Sequence, residues 1–370
     1  EHAWKAIGIY RAGVKTALVQ SVFFIGATLL GMLNIGIFGQ DPLTNELALR
    51  YLWVLLPSIP FVFLFAACKQ LLDGLGRTTV GMYITIGGLL LNVFLNWILI
   101  YGKFGFPRME IEGAALATVI TRVLMTLIFF IVNWRDKRIR ELRKQYDASD
   151  VRKKSYVMPI LRIGVPAGLQ FFWEVAAFQL AHFMSGWIGM VELAAHGVAI
   201  GLASITFMVL TGISAAGNIM TGFSYGAKDR EGIRIAGNTV FALTLVIELV
   251  FAVVFLIFHD FLPTLYLDTP EVLSLAASMI VFAAFFQISD GLQASAAGAL
   301  RGMQDVKIPM VIALVSYWGV MIPLCYFLAF KTSLGLSGIW IGFIIGLSVA
   351  AALLLWRFYW MIKRVKFAEV

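Results

Sequence analysis

Long apolar runs alternate with short polar breaks along the whole chain. Ten runs stand out, over 15–38, 48–72, 80–101, 113–134, 161–187, 193–217, 235–258, 272–297, 308–330 and 337–361. Each is near or above the roughly 20 residues that cross a bilayer as a helix. Polar residues do not alternate within them, which argues against a transmembrane barrel. Turn signals separate the runs: Gln40-Asp41-Pro42, Asp73-Gly74-Leu75-Gly76, Gly105-Phe106-Pro107 and Asp268-Thr269-Pro270. The pattern predicts an all-α polytopic membrane protein with ten transmembrane helices.

Composition agrees. Of 370 residues, 60% are hydrophobic and 14% are charged, against roughly 25% charged in ordinary soluble domains. Disorder and a disulfide scaffold are excluded as main readings. The net charge of +8 does not point to a nucleic-acid partner, because the basic residues crowd onto alternate loops. One side holds Lys5, Arg11 and Lys15; Arg77; the stretch from Arg135 to Lys154, then Arg162; Lys228, Arg230 and Arg234; Arg301 and Lys307; and Arg357 to Lys366. The other holds only Arg50, Lys103, Arg108 and Lys331. The positive-inside rule assigns the first side to the cytoplasm. Segment 135–158 then reads as a basic cytoplasmic linker facing anionic lipid, and the C-terminus is cytoplasmic. The expected domains are 1–134, the linker 135–158, and 159–370.

The chain also resembles itself at an offset of about 225 positions. Arg11-Ala12-Gly13 matches Ile235-Ala236-Gly237. Ile37-Phe38-Gly39-Gln40-Asp41-Pro42 matches Leu265-Tyr266-Leu267-Asp268-Thr269-Pro270. Gly74-Leu75-Gly76-Arg77 falls opposite Ala299-Leu300-Arg301-Gly302, and Glu112-Gly113-Ala114-Ala115 opposite Ser337-Gly338-Ile339-Trp340. Runs one to four thus align with runs seven to ten, while runs five and six have no upstream partner. The expectation is a protein of six plus six helices, with the first two absent from this sequence, which begins at Glu1. Halves of that kind are related by an axis along the membrane normal, and transporters commonly bind substrate between them.

Ionisable residues deep in a membrane are costly and usually mark a pathway. Glu174 lies mid-run, and Gln170, Glu174 and Phe178 share one helix face. A polar stripe ending in an aromatic ring suits a partly organic cation, and Pro166 one turn earlier can bend the helix. Asp290 lies in Gln287-Ile288-Ser289-Asp290-Gly291-Leu292-Gln293, with Gln287 on its face. A short carboxylate between amides can bind a desolvated ion. Glu248 reads as a neutral acid bonded to a neighbour, and Arg122 as snorkelling or paired with a carboxylate. Asn92 and Asn96 suit hydrogen bonding between helices, and Gly342-x-x-x-Gly346 suits close helix contact.

No phosphate-binding loop, paired metal-binding histidines or nucleophile elbow occurs in the sequence. His182 and His196 lack acid or thiol neighbours at ligand spacing, and Cys68 and Cys325 lie in apolar runs. No enzyme, cofactor or structural metal is expected. With no cytosolic domain large enough to hydrolyse ATP, transport must draw on an ion gradient or on the substrate's own gradient.

Several stretches together carry a family resemblance. They are Leu72-Asp73-Gly74-Leu75-Gly76-Arg77-Thr78, Leu91-Asn92-Val93-Phe94-Leu95-Asn96, Ile100-Tyr101-Gly102-Lys103-Phe104-Gly105-Phe106-Pro107 and Glu112-Gly113-Ala114-Ala115-Leu116-Ala117-Thr118. Gly164-Val165-Pro166, Ala194-Ala195-His196, Leu300-Arg301-Gly302, Tyr317-Trp318 and Gly335 to Gly342 add to them. The chain resembles the NorM-like branch of the multidrug and toxic compound extrusion (MATE) family. The resemblance implies a two-lobed, twelve-helix secondary antiporter of the bacterial inner membrane. It would work as a monomer and export organic cations and drugs in exchange for Na⁺ or H⁺ by alternating access of its lobes. The ten runs would be family helices three to twelve. Glu174 and Asp290 match acidic positions of the seventh and tenth, and Gln170, Phe178, Gln287 and Tyr317 complete the expected site for substrate and for Na⁺. The alternative is a lipid-linked oligosaccharide flippase of related fold. Its anionic pyrophosphate would call for several deep cations, whereas the deep charges here are three acids against Arg122.

Overall fold

A computed structural model describes residues 4–38, 42–147 and 156–364. Gln40 and Asp41 of the first turn signal, Arg152, Lys153 and Lys154 of the expected linker, and Lys366 lie outside the described residues. Within them the chain forms eleven helices: α1 (Lys5–Leu33), α2 (Pro42–Gly74), α3 (Thr78–Tyr101), α4 (Glu110–Arg135), α5 (Lys137–Asp147), α6 (Val157–Ile188), α7 (Met190–Gly226), α8 (Arg230–Ile257), α9 (Pro270–Gly302), α10 (Lys307–Phe330) and α11 (Leu336–Arg364).

The protein is an all-helical, multi-span membrane protein. All ten apolar runs fall on helices, and nine of these helices are long and apolar enough to cross a membrane. The remaining run, 161–187, lies on α6, which has 32 residues but is diluted by Gln170, Glu174, Gln179 and His182. Two of these, Gln170 and Glu174, are side chains proposed for function. Rings and aliphatic chains such as Val22, Phe23, Leu89, Leu90 and Val246 stay exposed, as expected where lipid rather than water is the solvent.

The chain divides into two compact units, Glu1–Leu161 and Arg162–Val370. In the first, α2 packs on α1 and α4, and α3 packs on α4. The core gathers Ile7, Cys68, Leu72 and Phe129. Two sequence expectations change here. Lys5, Arg11 and Lys15 are not loop residues, since α1 begins at Lys5. The first part of the expected linker is the helix α5, and it is not solvated on every side. Ile139, Leu142 and Tyr146 turn inward against α1 and α4 and are buried. An ion pair between Arg77 and Asp136 holds the preceding corner, where Asp136 Oδ1 also accepts from the Ile139 N–H at 3.1 Å. Gly102 closes α3 in the left-handed region at φ 65°, a conformation that only glycine adopts without strain.

Among the described residues Arg122 has no carboxylate partner. Its Nη1 donates to Ser58 Oγ at 2.8 Å, where α2 tightens into a 3₁₀ turn over Leu56–Ser58. Of the two asparagines expected to bond between helices, Asn92 does so, donating to Thr121 of α4 at 3.4 Å, whereas Asn96 donates within α3 to Asn92 at 3.0 Å.

In the second unit α9 is the central helix, packed on α7, α8 and α11. Its buried face is built largely of small residues, including Ala276, Ala283, Ala284, Ala296 and Ala299, which let neighbouring backbones approach closely. Side-chain bonds stitch the contacts. Ser214 of α7 donates to the Ala294 carbonyl at 2.7 Å, Thr221 to the Ala299 carbonyl at 3.0 Å, and Thr244 of α8 meets Ser295 at 2.6 Å. Each such bond between membrane helices contributes around 0.6 kcal/mol. The glycine pair of α11 closes the bundle, since a side chain at Gly342 or Gly346 would collide with Cys325 or Met321 of α10.

Candidate functional site

Pro166 sits inside α6 and frees a backbone carbonyl one turn earlier. One turn beyond it, the face bearing Gln170, Glu174 and Phe178 turns into the second unit. Gln170 and Glu174 are buried, and Phe178 stacks edge-on against Phe286 of α9 and Phe343 of α11 at centroid distances of 6.0 and 5.0 Å. A cavity of about 320 Å³ opens beside this face, lined by Phe171, Glu174, Phe178, Phe207, Phe286 and Asp290 among others.

The two acids are brought together. Gln293, one turn after Asp290 on α9, donates from Nε2 to Glu174 Oε1 at 3.2 Å and to Asp290 Oδ1 at 3.3 Å. Both bonds are at the long end of the normal range. The carboxylates line the cavity yet are only 8% and 6% exposed. One neutral amide thus serves two carboxyl groups, and among the described residues neither has an ion-pair partner. Two like charges withdrawn from water in one site require a proton, a metal ion or an organic cation between them.

Gln287 departs from expectation. It was expected to flank Asp290, but its Oε1 instead accepts from Thr206 of α7 at 3.1 Å. Its Nε2 is buried without a hydrogen-bond partner among the described residues. The residue that sequence reasoning missed is Gln293. It lies three positions after Asp290 as Gln287 lies three before, and helical spacing alone does not choose between them. Tyr317 is buried in a π-helical turn of α10, Val315–Met321, within electrostatic reach of both acids. Its neighbour Trp318 donates to the Trp173 carbonyl of α6 at 3.1 Å.

Glu248 differs as well. It is fully buried on α8, and neither carboxyl oxygen has a hydrogen-bond partner among the described residues. Thr244, the neighbour one turn away, is engaged with Ser295 instead. Glu248 leans on Gly291, where any added side chain would meet its Oε1. The rings of His182 and His196 meet at a tilt, their centroids 5.4 Å apart, and the two cysteines are free thiols.

The MatE family profile matches residues 5–98 and 166–327. A probable multidrug resistance protein NorM of Rhizobium meliloti (strain 1021) is 38% identical over 341 residues, covering 89% of this chain and 72% of that protein. The chain belongs to the MATE family. This is a family of transporters, so the protein is not an enzyme. A second probable NorM, of Agrobacterium fabrum (strain C58 / ATCC 33970), is 34% identical over 369 residues, 97% of this chain and 77% of its own. The MATE fold is independently evident among solved structures. An outward-facing multidrug resistance MATE family transporter superposes with a TM-score of 0.83 at 21% identity, over 96% of this chain and 78% of that one. A MATE in the straight conformation superposes with a TM-score of 0.83 at 22% identity, over 98% and 82%.

Proposed function

We propose that the protein is a NorM-type secondary antiporter that exports organic cations in exchange for Na⁺ or H⁺. The observation that carries this reading is the pair Glu174 and Asp290, held by one neutral amide in a cavity walled by Phe171, Phe178, Phe207 and Phe286. Carboxylates attract a cation, and aromatic faces favour a large, weakly hydrated one. An alkali ion or a proton on the same oxygens removes that attraction. Drug and coupling ion therefore compete, and each drives the release of the other as the cavity is exposed to one side of the membrane and then the other.

In this reading the ten membrane-crossing helices are α1–α4 and α6–α11, and α1–α4 repeat α8–α11 as the two lobes' shared pattern. The excess of basic residues puts α5 and the end of α11 on the cytoplasmic side of a bacterial inner membrane. Gln170 and Tyr317 belong to the polar surround of the acids, while Gln287, bonded to Thr206, stands apart from it.

The test is efflux of a fluorescent organic cation by the full chain in proteoliposomes, with Na⁺ and H⁺ gradients imposed separately. Glu174→Gln and Asp290→Asn should each abolish gradient-driven efflux. Gradient-coupled efflux that persists at the wild-type rate in both variants overturns the assignment.

A further inference from the structure

Arg301 has no role in the exchange described above, and its position is unusual. It lies in the last turn of α9, and its guanidinium carbon sits 5.0 Å from the centre of the Phe171 ring. Phe171 lines the cavity and precedes Glu174 by one helical turn, on the same side of α6. The Nε of Arg301 is buried and makes no hydrogen bond among the described residues. Among the described residues the guanidinium has no ion-pair partner. The nearby acid, Asp305, is taken by Arg357 at 2.6 Å. Glu174 and Arg301 are nevertheless within electrostatic reach of each other.

Arginine stays charged at any working pH. A permanent cation therefore rests on an aromatic ring that lines the pocket of Glu174 and Asp290, and neither acid has an ion-pair partner among the described residues. A positively charged aromatic substrate entering that pocket needs the same ring and the same carboxylate.

We propose that Arg301 is a tethered competitor for the cation pocket, resting on Phe171 and advancing on Glu174 as the exported cation leaves. This rests on the antiport reading above and goes beyond it by assigning substrate release to a named side chain. Such a competitor weakens equilibrium binding and speeds release. Arg301 also suits the C-terminal end of a helix dipole, but that contribution changes stability and gives no reason for a cation to bind more tightly when the charge is removed.

The experiment measures tetraphenylphosphonium binding to the purified full chain by calorimetry, with melting temperature recorded alongside, and its efflux in proteoliposomes. Arg301→Gln should bind the probe about tenfold more tightly, a change of the size expected for one charge acting across a partly desolvated site, and should export it more slowly. Arg301→Lys, which keeps the charge, should stay near wild type. Arg301→Met, which keeps the apolar stem, replaces the Gln variant if that one fails to fold, with the same expectation. A folded Arg301→Gln or Arg301→Met protein with wild-type or weaker affinity overturns the proposal and leaves the antiport reading standing, provided Glu174→Gln loses binding. If the wild-type protein does not bind the cation, both readings fall.

Discussion

Glu174 of α6 and Gln293 of α9 lie 119 residues apart in the chain and meet at 3.2 Å. The same amide nitrogen reaches Asp290 at 3.3 Å. Gln293 therefore sets the spacing of the two acids without neutralising either. An arginine or lysine there would form a buried ion pair and close the site to a travelling cation. An apolar residue would leave two carboxyl groups with no shared donor.

The first prediction follows. Gln293→Leu should keep the fold but weaken organic-cation binding by about tenfold, since a hydrogen bond to a charged group contributes roughly 1.5–3 kcal/mol and its loss lets the carboxylates drift out of register. Gln293→Lys should bind no organic cation at all, because the new ammonium group would fill the position. Calorimetric titration of both variants, with melting temperature as the control for folding, checks the ordering.

Most of the helical architecture was legible in the sequence, because a run of about twenty apolar residues has few stable alternatives in a membrane. What escaped was decided by packing. The inward stripe Ile139, Leu142 and Tyr146 of α5 was present in the sequence, but the charges around it dominate the segment, so it read as a solvated linker. Arg301 counted only as an orientation charge, since nothing in linear order shows that Phe171 lies beneath it. Glu174 and Asp290 stood out because a carboxyl group in an apolar run is costly wherever it points. The amide between them did not, because Gln287 and Gln293 flank Asp290 symmetrically and only the approach of α6 distinguishes them.

Arg122 gives a second prediction, on stability. Its Nη1 donates to Ser58 Oγ, but Ser58 also donates to the Leu55 carbonyl at 2.7 Å. Removing the guanidinium therefore leaves no buried hydroxyl without a partner. A charged residue at the centre of a membrane helix costs about 2.5–3.5 kcal/mol on insertion scales. Arg122→Leu should accordingly be as stable as wild type or more so in a detergent melt, with efflux retained, since its hydrogen bond reaches Ser58 and not the acids. A folded variant without efflux would assign Arg122 a part in transport that its contacts do not suggest.

A third prediction concerns the contact between Gly291 and Glu248. A β-carbon at 291 would lie 2.7 Å from Glu248 Oε1 and 2.9 Å from Leu210 Cδ1, closer than packed atoms tolerate. Gly291→Ala should cost about 1–3 kcal/mol, the usual range for overpacking a close helix contact. Glu248 has no hydrogen-bond partner to lose among the described residues, and an ionised carboxylate so isolated is prohibitively costly, so it stands as the neutral acid. Glu248→Ala alone should then cost little beyond the cavity it leaves, and it removes the atom that an alanine at 291 would strike. The double variant should recover at least half of the Gly291→Ala loss, a coupling that adjacent side chains commonly show. Melting temperatures of the four proteins in one detergent measure it. Additive losses would mean that the strain at 291 is taken up by Leu210 rather than by the carboxyl group.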